Sequence, residues 1–164
     1  MSRSDERRLT AALRAASDDL LAYLQRRVGA DDAPDLLGET MVVAWRRLVD
    51  LPREPERARM WLFGIARGTL LNHARGERRR WALADRIRGT GADAVAPPSD
   101  EGADVRDAID RLDSDLAELV RLVHWEGLSL VDAADLLGIP ASTVRGRYQR
   151  AKDELRVALG VEVG

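Results

Sequence analysis

The side chains best suited to chemistry in this chain lie close together near its carboxyl end, and their chemistry is that of nucleic-acid binding. An arginine can donate two hydrogen bonds at once to a guanine edge or a phosphate, which gives about 1–3 kcal/mol of base discrimination for a well-placed pair. Hydroxyl groups at a helix start can meet phosphates, helped by the free backbone amides there. The polar residues of this segment are Ser142, Thr143, Arg145, Arg147, Gln149, Arg150 and Lys152.

The segment 129–156 positions these side chains, because it has the pattern of two helices joined by a tight turn. Ser129 and Asp132 form a capping box that opens the first helix. Gly138 marks the turn, and Pro140 is accepted in the first turn of the second helix. The pattern predicts a helix-turn-helix, whose second helix enters the DNA major groove. An ordinary helical hairpin with a solvated basic face is the alternative, and the coincidence of these signals favours the helix-turn-helix.

A second group of cationic and aromatic side chains lies in the middle of the chain, on a helix predicted over Ala58–Trp81. Positive charge neutralises phosphates, and aromatic rings stack on unpaired bases at roughly 1–3 kcal/mol per base. The mixture therefore suits single-stranded or distorted DNA. The alternative is an arginine-rich helix end beside the negative pole of its own dipole. The residues concerned are Arg67, Asn72, Arg75, Arg78, Arg79 and Trp81.

Composition argues against an enzyme. The 164 residues include no cysteine, so disulfides, thiolate zinc sites and a cysteine nucleophile are excluded. The two histidines, His73 and His124, stand among packing residues, and no phosphate-binding glycine loop or nucleophile elbow occurs. We therefore predict no catalytic residue, no metal site and no cofactor. No signal peptide or membrane-length apolar run is visible, which predicts a cytoplasmic protein.

Hydrophobic periodicity predicts an all-α chain of two small helical domains, 1–84 and 106–164, joined by a flexible linker over 85–105. Aromatic residues make up only 4% of the chain, which also favours helices over strands. The remaining helices are predicted over Asp5–Val28, Asp35–Val49, Val105–Asp110 and Ser114–Trp125. The predicted buried stripe of the second helix consists of Leu37, Met41, Ala44, Trp45 and Leu48.

The formal net charge of -2 is unusual for a protein that binds DNA alone. The charge is segregated, however: arginines dominate 67–88, whereas aspartate and glutamate dominate 93–118. Two basic surfaces would thus be separated by an acidic connector.

Three stretches resemble the extracytoplasmic-function class of bacterial RNA polymerase sigma factors, and together they cover nearly the whole chain. The region of that class that docks on the polymerase clamp is similar to APDLLGETMVVAW. Its strand-opening, minus-ten-reading segment is similar to ARMWLFGIARGTLLNHARGERRR. Its minus-thirty-five-reading domain is similar to LDSDLAELVRLVHWEGLSLVDAADLLGIPASTVRGRYQRAKDEL. The resemblance implies a region 2-like domain over 1–84 and a region 4-like domain over 106–164.

The resemblance also implies roles for individual residues. Those matching the polymerase-binding positions are Asp35, Leu36, Glu39 and Arg46. Those matching the segment that holds the melted minus-ten strand are Arg67, Gly68, Asn72, Arg75, Arg78 and Arg79. Those matching the recognition helix for the upstream element are Ser142, Thr143, Arg145, Gly146, Arg147, Gln149 and Arg150. The class usually has asparagine where Gly68 stands and aspartate where Asn72 stands.

The function that this resemblance implies is that of a sigma factor, which directs RNA polymerase to specific promoters and starts transcription without being an enzyme. The implied partners are core RNA polymerase, promoter DNA and an anti-sigma protein that holds the factor inactive. A stand-alone helix-turn-helix regulator is the alternative. It would require a dimerisation or effector domain, for which the amino-terminal half shows no pocket signature.

Overall fold

The computed structural model describes residues 2–88 and 102–161, and within these ranges the chain forms seven α-helices and no strand. The chain divides into two compact units, one within residues 1–93 and one within 94–164. The predicted all-α architecture of two helical domains is therefore confirmed. The helices are α1 (Arg3–Val28), α2 (Ala33–Arg46), α3 (Pro55–Arg88), α4 (Ala103–Asp110), α5 (Ser114–His124), α6 (Leu130–Leu137) and α7 (Ala141–Leu159).

The amino-terminal unit is a bundle in which α1, α2 and α3 each pack against the other two. Leu20 and Leu24 of α1 lie four residues apart on one side of the helix, and both are completely buried. The rings of Tyr23 and Phe63 meet edge to face with their centroids 5.3 Å apart, which joins α1 to α3. An ion pair of 3.1 Å between Arg59 and Asp19 crosses the same interface at the surface.

The buried stripe of α2 differs from the predicted one. Ala33, Leu36, Thr40 and Ala44 are buried, whereas Trp45 is 38% exposed. Thr40 can lie in the core because its hydroxyl donates a 2.8 Å hydrogen bond to the carbonyl oxygen of Leu36. The prediction was wrong for Trp45. It was right for Ala44 and for Leu48, which is buried in the 3₁₀ turn Leu48–Asp50 that follows.

The third helix is longer than predicted at both ends. It begins at Pro55 and continues to Arg88, because most of the residues from Ala82 to Arg88 are good helix formers. The predicted linker over 85–105 is consequently helical over 85–88, and again over 103–105 in α4. The remainder of that linker, apart from residue 102, lies outside the described residues.

The carboxy-terminal unit packs α4, α5 and α6 around α7. One buried cluster joins Leu116 and Val120 of α5 to Ala151 of α7. Another joins Leu119 and Val144 to the alanines of α6. The predicted four-helix arrangement, with a helix-turn-helix in α6 and α7, is confirmed.

The turn between α6 and α7 has the geometry that the sequence predicts. The Ser129 hydroxyl accepts a 3.1 Å hydrogen bond from the backbone amide of Asp132 and so caps α6. Gly138 ends that helix with φ of +67°, a left-handed conformation that favours glycine. Pro140 then stands at the N-cap of α7 in extended backbone. Local residue chemistry thus sets the crossing that presents α7.

None of the helices in the described part of the chain has the length and apolar character of a membrane span.

Candidate nucleic-acid and polymerase interfaces

The outer face of the recognition helix α7 carries most of the residues predicted to read DNA. Val144 and Ala151 are completely buried and fix which side of the helix faces the domain core. Thr143 and Arg147 are half-buried at the flank. Arg145 and Gln149 share one exposed stripe, and Gly146 lies between that stripe and Arg150. The exposed residues of this face are Ser142, Arg145, Gly146, Gln149 and Arg150.

The three arginines of this surface differ in their partners. Arg147 Nη1 lies 3.8 Å from Asp115 Oδ2. Arg150 Nη2 lies 3.4 Å from Asp113 Oδ2, and its Nε donates a 2.9 Å hydrogen bond to Glu154. Arg145, by contrast, makes no ion pair or side-chain hydrogen bond with another described residue. The guanidinium of Arg145 can therefore bind a ligand without first breaking an ion pair to another described residue.

The outer face of α3 gathers the residues predicted to hold melted DNA. Gly68, Asn72, Arg75 and Arg79 follow one another at spacings of four, three and four, which places them on one stripe. The neighbouring stripe holds Arg67, Leu71 and Arg78. All of these residues are exposed except Arg67, which is half-buried.

The four arginines of this α3 face (67, 75, 78 and 79) form no ion pair with any residue that the structure describes. Arg80 faces away from them and pairs with Glu77 at 3.0 Å. Leu71 was not predicted as a site residue, yet it is 41% exposed on the same stripe as Arg67 and Arg78. A leucine in a helix usually indicates a buried position. Only the helical spacing of this residue from Arg67 and Arg78 indicates that it lies on the exposed face. The face therefore combines unpaired positive charge with one apolar contact.

The predicted polymerase-binding residues do not all lie on one surface. Asp35, Glu39 and Arg46 are exposed along one stripe of α2, but Leu36 is only 3% exposed and belongs to the core. Leu36 is thus a correction to the prediction, because its side chain holds α2 in the bundle and cannot contact a partner directly. Val42, 48% exposed, completes the stripe instead, at spacings of three from Glu39 and four from Arg46.

Trp45 lies beside this stripe and faces a cavity of about 390 Å³ bordered by the start of α1. The sequence does not mark Val42 and Trp45 as surface residues, because apolar side chains on a helix usually indicate the core. The signal that could have placed them is the helical spacing of Ala33, Thr40 and Ala44, small residues that fit a close helix contact. The outward face of α2 is therefore mixed, with acidic, basic and apolar groups, as is common at protein interfaces.

The two histidines make structural contacts. His73 Nε2 lies 3.7 Å from Asp32 Oδ2, which links α3 to the turn between α1 and α2. His124 Nε2 lies 2.9 Å from the Tyr148 hydroxyl. Among residues 2–88 and 102–161, no group of three or more histidine, aspartate or glutamate side chains is placed to hold a metal ion.

Comparisons with known proteins agree with this arrangement of two units. The family model for sigma-70 region 2 matches residues 13–80, and that for sigma-70 region 4 matches residues 103–155. The chain is 31% identical to the ECF RNA polymerase sigma factor SigC of Mycobacterium tuberculosis (strain CDC 1551 / Oshkosh), over 94% of this chain and 84% of that protein. This chain belongs to the ECF family of RNA polymerase sigma factors. A second relative, EcfG of Rhodopseudomonas palustris (strain TIE-1), is 32% identical over 94% of this sigma factor and 88% of its own length.

Solved structures show the same fold. The sigma factor RpoE from Bartonella quintana, crystallised with the anti-sigma factor NepR, is 25% identical to this sigma factor. It covers 99% of this chain and 100% of its own, with a TM-score of 0.65. CnrH, solved with the cytosolic domain of CnrY, gives a TM-score of 0.62 at 23% identity, over 96% of this chain and 91% of its own. As a member of this family, the protein is a non-enzymatic factor that directs RNA polymerase in transcription initiation.

Proposed function

We propose that the two units of this sigma factor divide promoter recognition between them. The region 2-like domain, over 1–84, binds core RNA polymerase and holds the melted minus-ten strand. The region 4-like domain, over 106–164, reads the minus-thirty-five element with α7. The support is that exposed arginines lie on the outer faces of α3 and α7, one in each unit.

The reading of the upstream element depends most on Arg145. Its guanidinium is exposed, lacks a partner among the described residues and follows the helix start by one turn. Side chains near the start of a recognition helix are the ones that reach base edges. Gln149 stands one turn further on the same stripe and can add a bidentate contact to adenine. Arg147 and Arg150 are better placed for backbone phosphates, which position the helix without specifying sequence.

The minus-ten role of α3 is supported by the unpaired charge of its outer face. Melted DNA brings phosphates that arginine can neutralise and bases that need an apolar or planar surface. Leu71 offers the apolar part of that surface between Arg67 and Arg78. Gly68 and Asn72 lie on the adjacent stripe, and a Cβ atom at Gly68 would meet nothing within 4 Å in this chain. The backbone there is therefore open to close approach by a base.

The polymerase contact is assigned to the outward face of α2, formed by Asp35, Glu39, Val42 and Arg46. A further partner follows from the comparison with RpoE: an anti-sigma protein that binds this sigma factor. Bacterial RNA polymerase works in the cytoplasm, and we place this factor there with it.

Transcription by reconstituted holoenzyme tests the proposal. Core polymerase with this protein should initiate at a defined set of start sites on genomic DNA, and these sites reveal the promoter elements. On a promoter mapped in this way, Arg145→Ala should lower run-off transcription by about tenfold or more, because a bidentate base contact is lost. It should leave the amount of polymerase-bound factor unchanged.

Arg156→Ala is the matched control for Arg145. Arg156 is an exposed arginine of the same helix, three turns further on, where it pairs with Asp153 at 3.3 Å. It should retain near-normal transcription. No added run-off product with the unaltered protein would overturn the proposal, as would equal losses for Arg145→Ala and Arg156→Ala.

A further inference from the structure

Two acidic side chains of α5 contact the arginines of the recognition helix within the carboxy-terminal unit. Asp115 lies 3.8 Å from Arg147, and Asp113 lies 3.4 Å from Arg150. Both acids belong to the start of α5, where Asp113 is the N-cap and Asp115 stands in the first turn. Their side chains are 74% and 71% exposed, so the pairs stand at the surface and not in the core.

The helix itself does not require this arrangement. Asp113 occupies the N-cap of α5, but its carboxylate makes no hydrogen bond to the backbone amides of that helix. It contacts Arg150 on a different helix instead. An exposed ion pair contributes little to the stability of a fold. The helix dipole favours acidic residues at the start of α5, but it does not account for the contacts of both carboxylates with arginines of α7.

The contrast with α3 supports this interpretation. The arginines on the outer face of α3 have no acidic partner among residues 2–88 and 102–161. On α7, Arg147 and Arg150 are paired, whereas Arg145 is not. The acids of α5 thus pair with the two arginines that are placed for phosphate contact and leave Arg145 without a partner among the described residues.

We propose that Asp113 and Asp115 weaken the attraction of the recognition helix for DNA phosphates and so suppress non-specific DNA binding by this sigma factor. The inference rests on the proposed role of α7. A phosphate must displace a carboxylate from each paired arginine, and the displaced carboxylate then repels the DNA backbone. The free-energy cost of displacing the carboxylates is the same for every DNA sequence. The contacts of Arg145 and Gln149 with bases, by contrast, form only at the correct promoter sequence. The two acids therefore raise the ratio of specific to non-specific binding.

Anisotropy measurements on the full-length protein test the proposal. The probe is a fluorescein-labelled duplex of mixed sequence, about 30 base pairs long, titrated between about 50 and 200 mM salt. The double variant Asp113→Asn/Asp115→Asn should bind it about three- to tenfold more tightly at the low end of this range. The gain should shrink as salt rises. The single Asp113→Asn variant should show part of the gain.

Two comparisons separate pairing from overall charge. The control Asp104→Asn/Asp107→Asn removes the same charge from exposed positions of α4 and should bind like the unaltered protein. Arg147→Gln/Arg150→Gln should abolish the gain when it is combined with the asparagine variant. An equal gain in the α4 control, a gain that survives loss of the two arginines, or no gain at all would each overturn the inference.

Failure of this inference and failure of the proposed function of α7 give different results. Failure of that function would appear as normal transcription by Arg145→Ala on a mapped promoter, whatever the asparagine variant does on mixed-sequence DNA. Thermal unfolding of each variant, followed by circular dichroism, shows that the binding changes occur in a folded protein.

Discussion

The Nε2 atom of His124 and the hydroxyl oxygen of Tyr148 lie 2.9 Å apart, which joins α5 to the recognition helix. Their rings are stacked with centroids 5.9 Å apart. The ammonium group of Lys152 lies 5.0 Å from the centre of the Tyr148 ring. Tyr148 follows the buried Val144 by one turn, so this aromatic pair helps to set the rotation of α7 and hence the direction of its DNA-binding face.

Two substitutions of Tyr148 should separate the contribution of its ring packing to stability from that of its hydrogen bond. Tyr148→Phe keeps the ring and should cost about 0.5–1 kcal/mol of unfolding free energy, the usual net value of one hydrogen bond. Tyr148→Ala also loses the stacking and the half-buried ring, and should cost about 2–3 kcal/mol. Urea unfolding of the full chain measures both. Equal losses would show that the ring contributes nothing to the free energy of unfolding beyond its hydrogen bond.

The face of α3 can be tested with two neighbouring arginines. Arg79→Ala should reduce promoter opening by about fivefold or more, because it removes a contact between DNA phosphate and an arginine that has no ion-pair partner among the described residues. Arg80→Ala, the matched control, removes a guanidinium that faces the other way and pairs with Glu77, and should leave opening almost unchanged. Permanganate reactivity of unpaired thymines in the holoenzyme–promoter complex reports opening. The assignment of this face is wrong if the two variants lose opening to the same extent.

The correction at Leu36 gives a prediction that separates stability from partner binding. Leu36→Ala should lower the unfolding free energy by about 2–4 kcal/mol, since a buried leucine is truncated and a cavity is left. Val42→Lys, on the exposed stripe, should change stability by less than about 0.5 kcal/mol. It should nevertheless weaken binding to core polymerase by about tenfold.

Competition between labelled and unlabelled sigma factor for core polymerase measures the affinity of these α2 variants. Asp18→Asn, an exposed acid of α1, serves as a charge control for Asp35→Asn on α2. If Val42→Lys and Asp35→Asn both bind core polymerase normally, α2 is not part of the interface.

Gly146 should trade stability against DNA binding. A Cβ atom at this position would meet nothing within 4 Å in the chain, so packing does not require glycine there. Gly146→Ala should therefore raise stability by about 0.5–1 kcal/mol through helix propensity. Transcription should fall, because the added methyl group lies on the exposed face of α7, between Arg145 and Arg150. Gly76→Ala, whose Cβ would stand 3.6 Å from Arg80, should also raise stability and serves as the stability control. A destabilised Gly146→Ala protein would contradict this account.

The helix-turn-helix could be predicted because its signals are local. Ser129 caps the amide of Asp132 three residues away, and Gly138 takes the left-handed conformation that ends α6. Both effects act within one turn of helix, so the residue types alone determine them. The buried stripe of α1 and the exposed arginines of α3 follow from helical spacing in the same way.

Contacts between distant parts of the chain decided the rest. Trp45 appeared to belong to the core because it is apolar, yet the close fit of Ala33, Thr40 and Ala44 against the bundle turns it outward and Leu36 inward. The pairing of Asp113 with Arg150 joins residues 37 positions apart. Spacing within one helix determines which residues share a face. Only packing between helices determines which face is buried and which charged side chains meet. Both depend on the shape and volume of the neighbouring side chains, which the spacing within one helix does not contain.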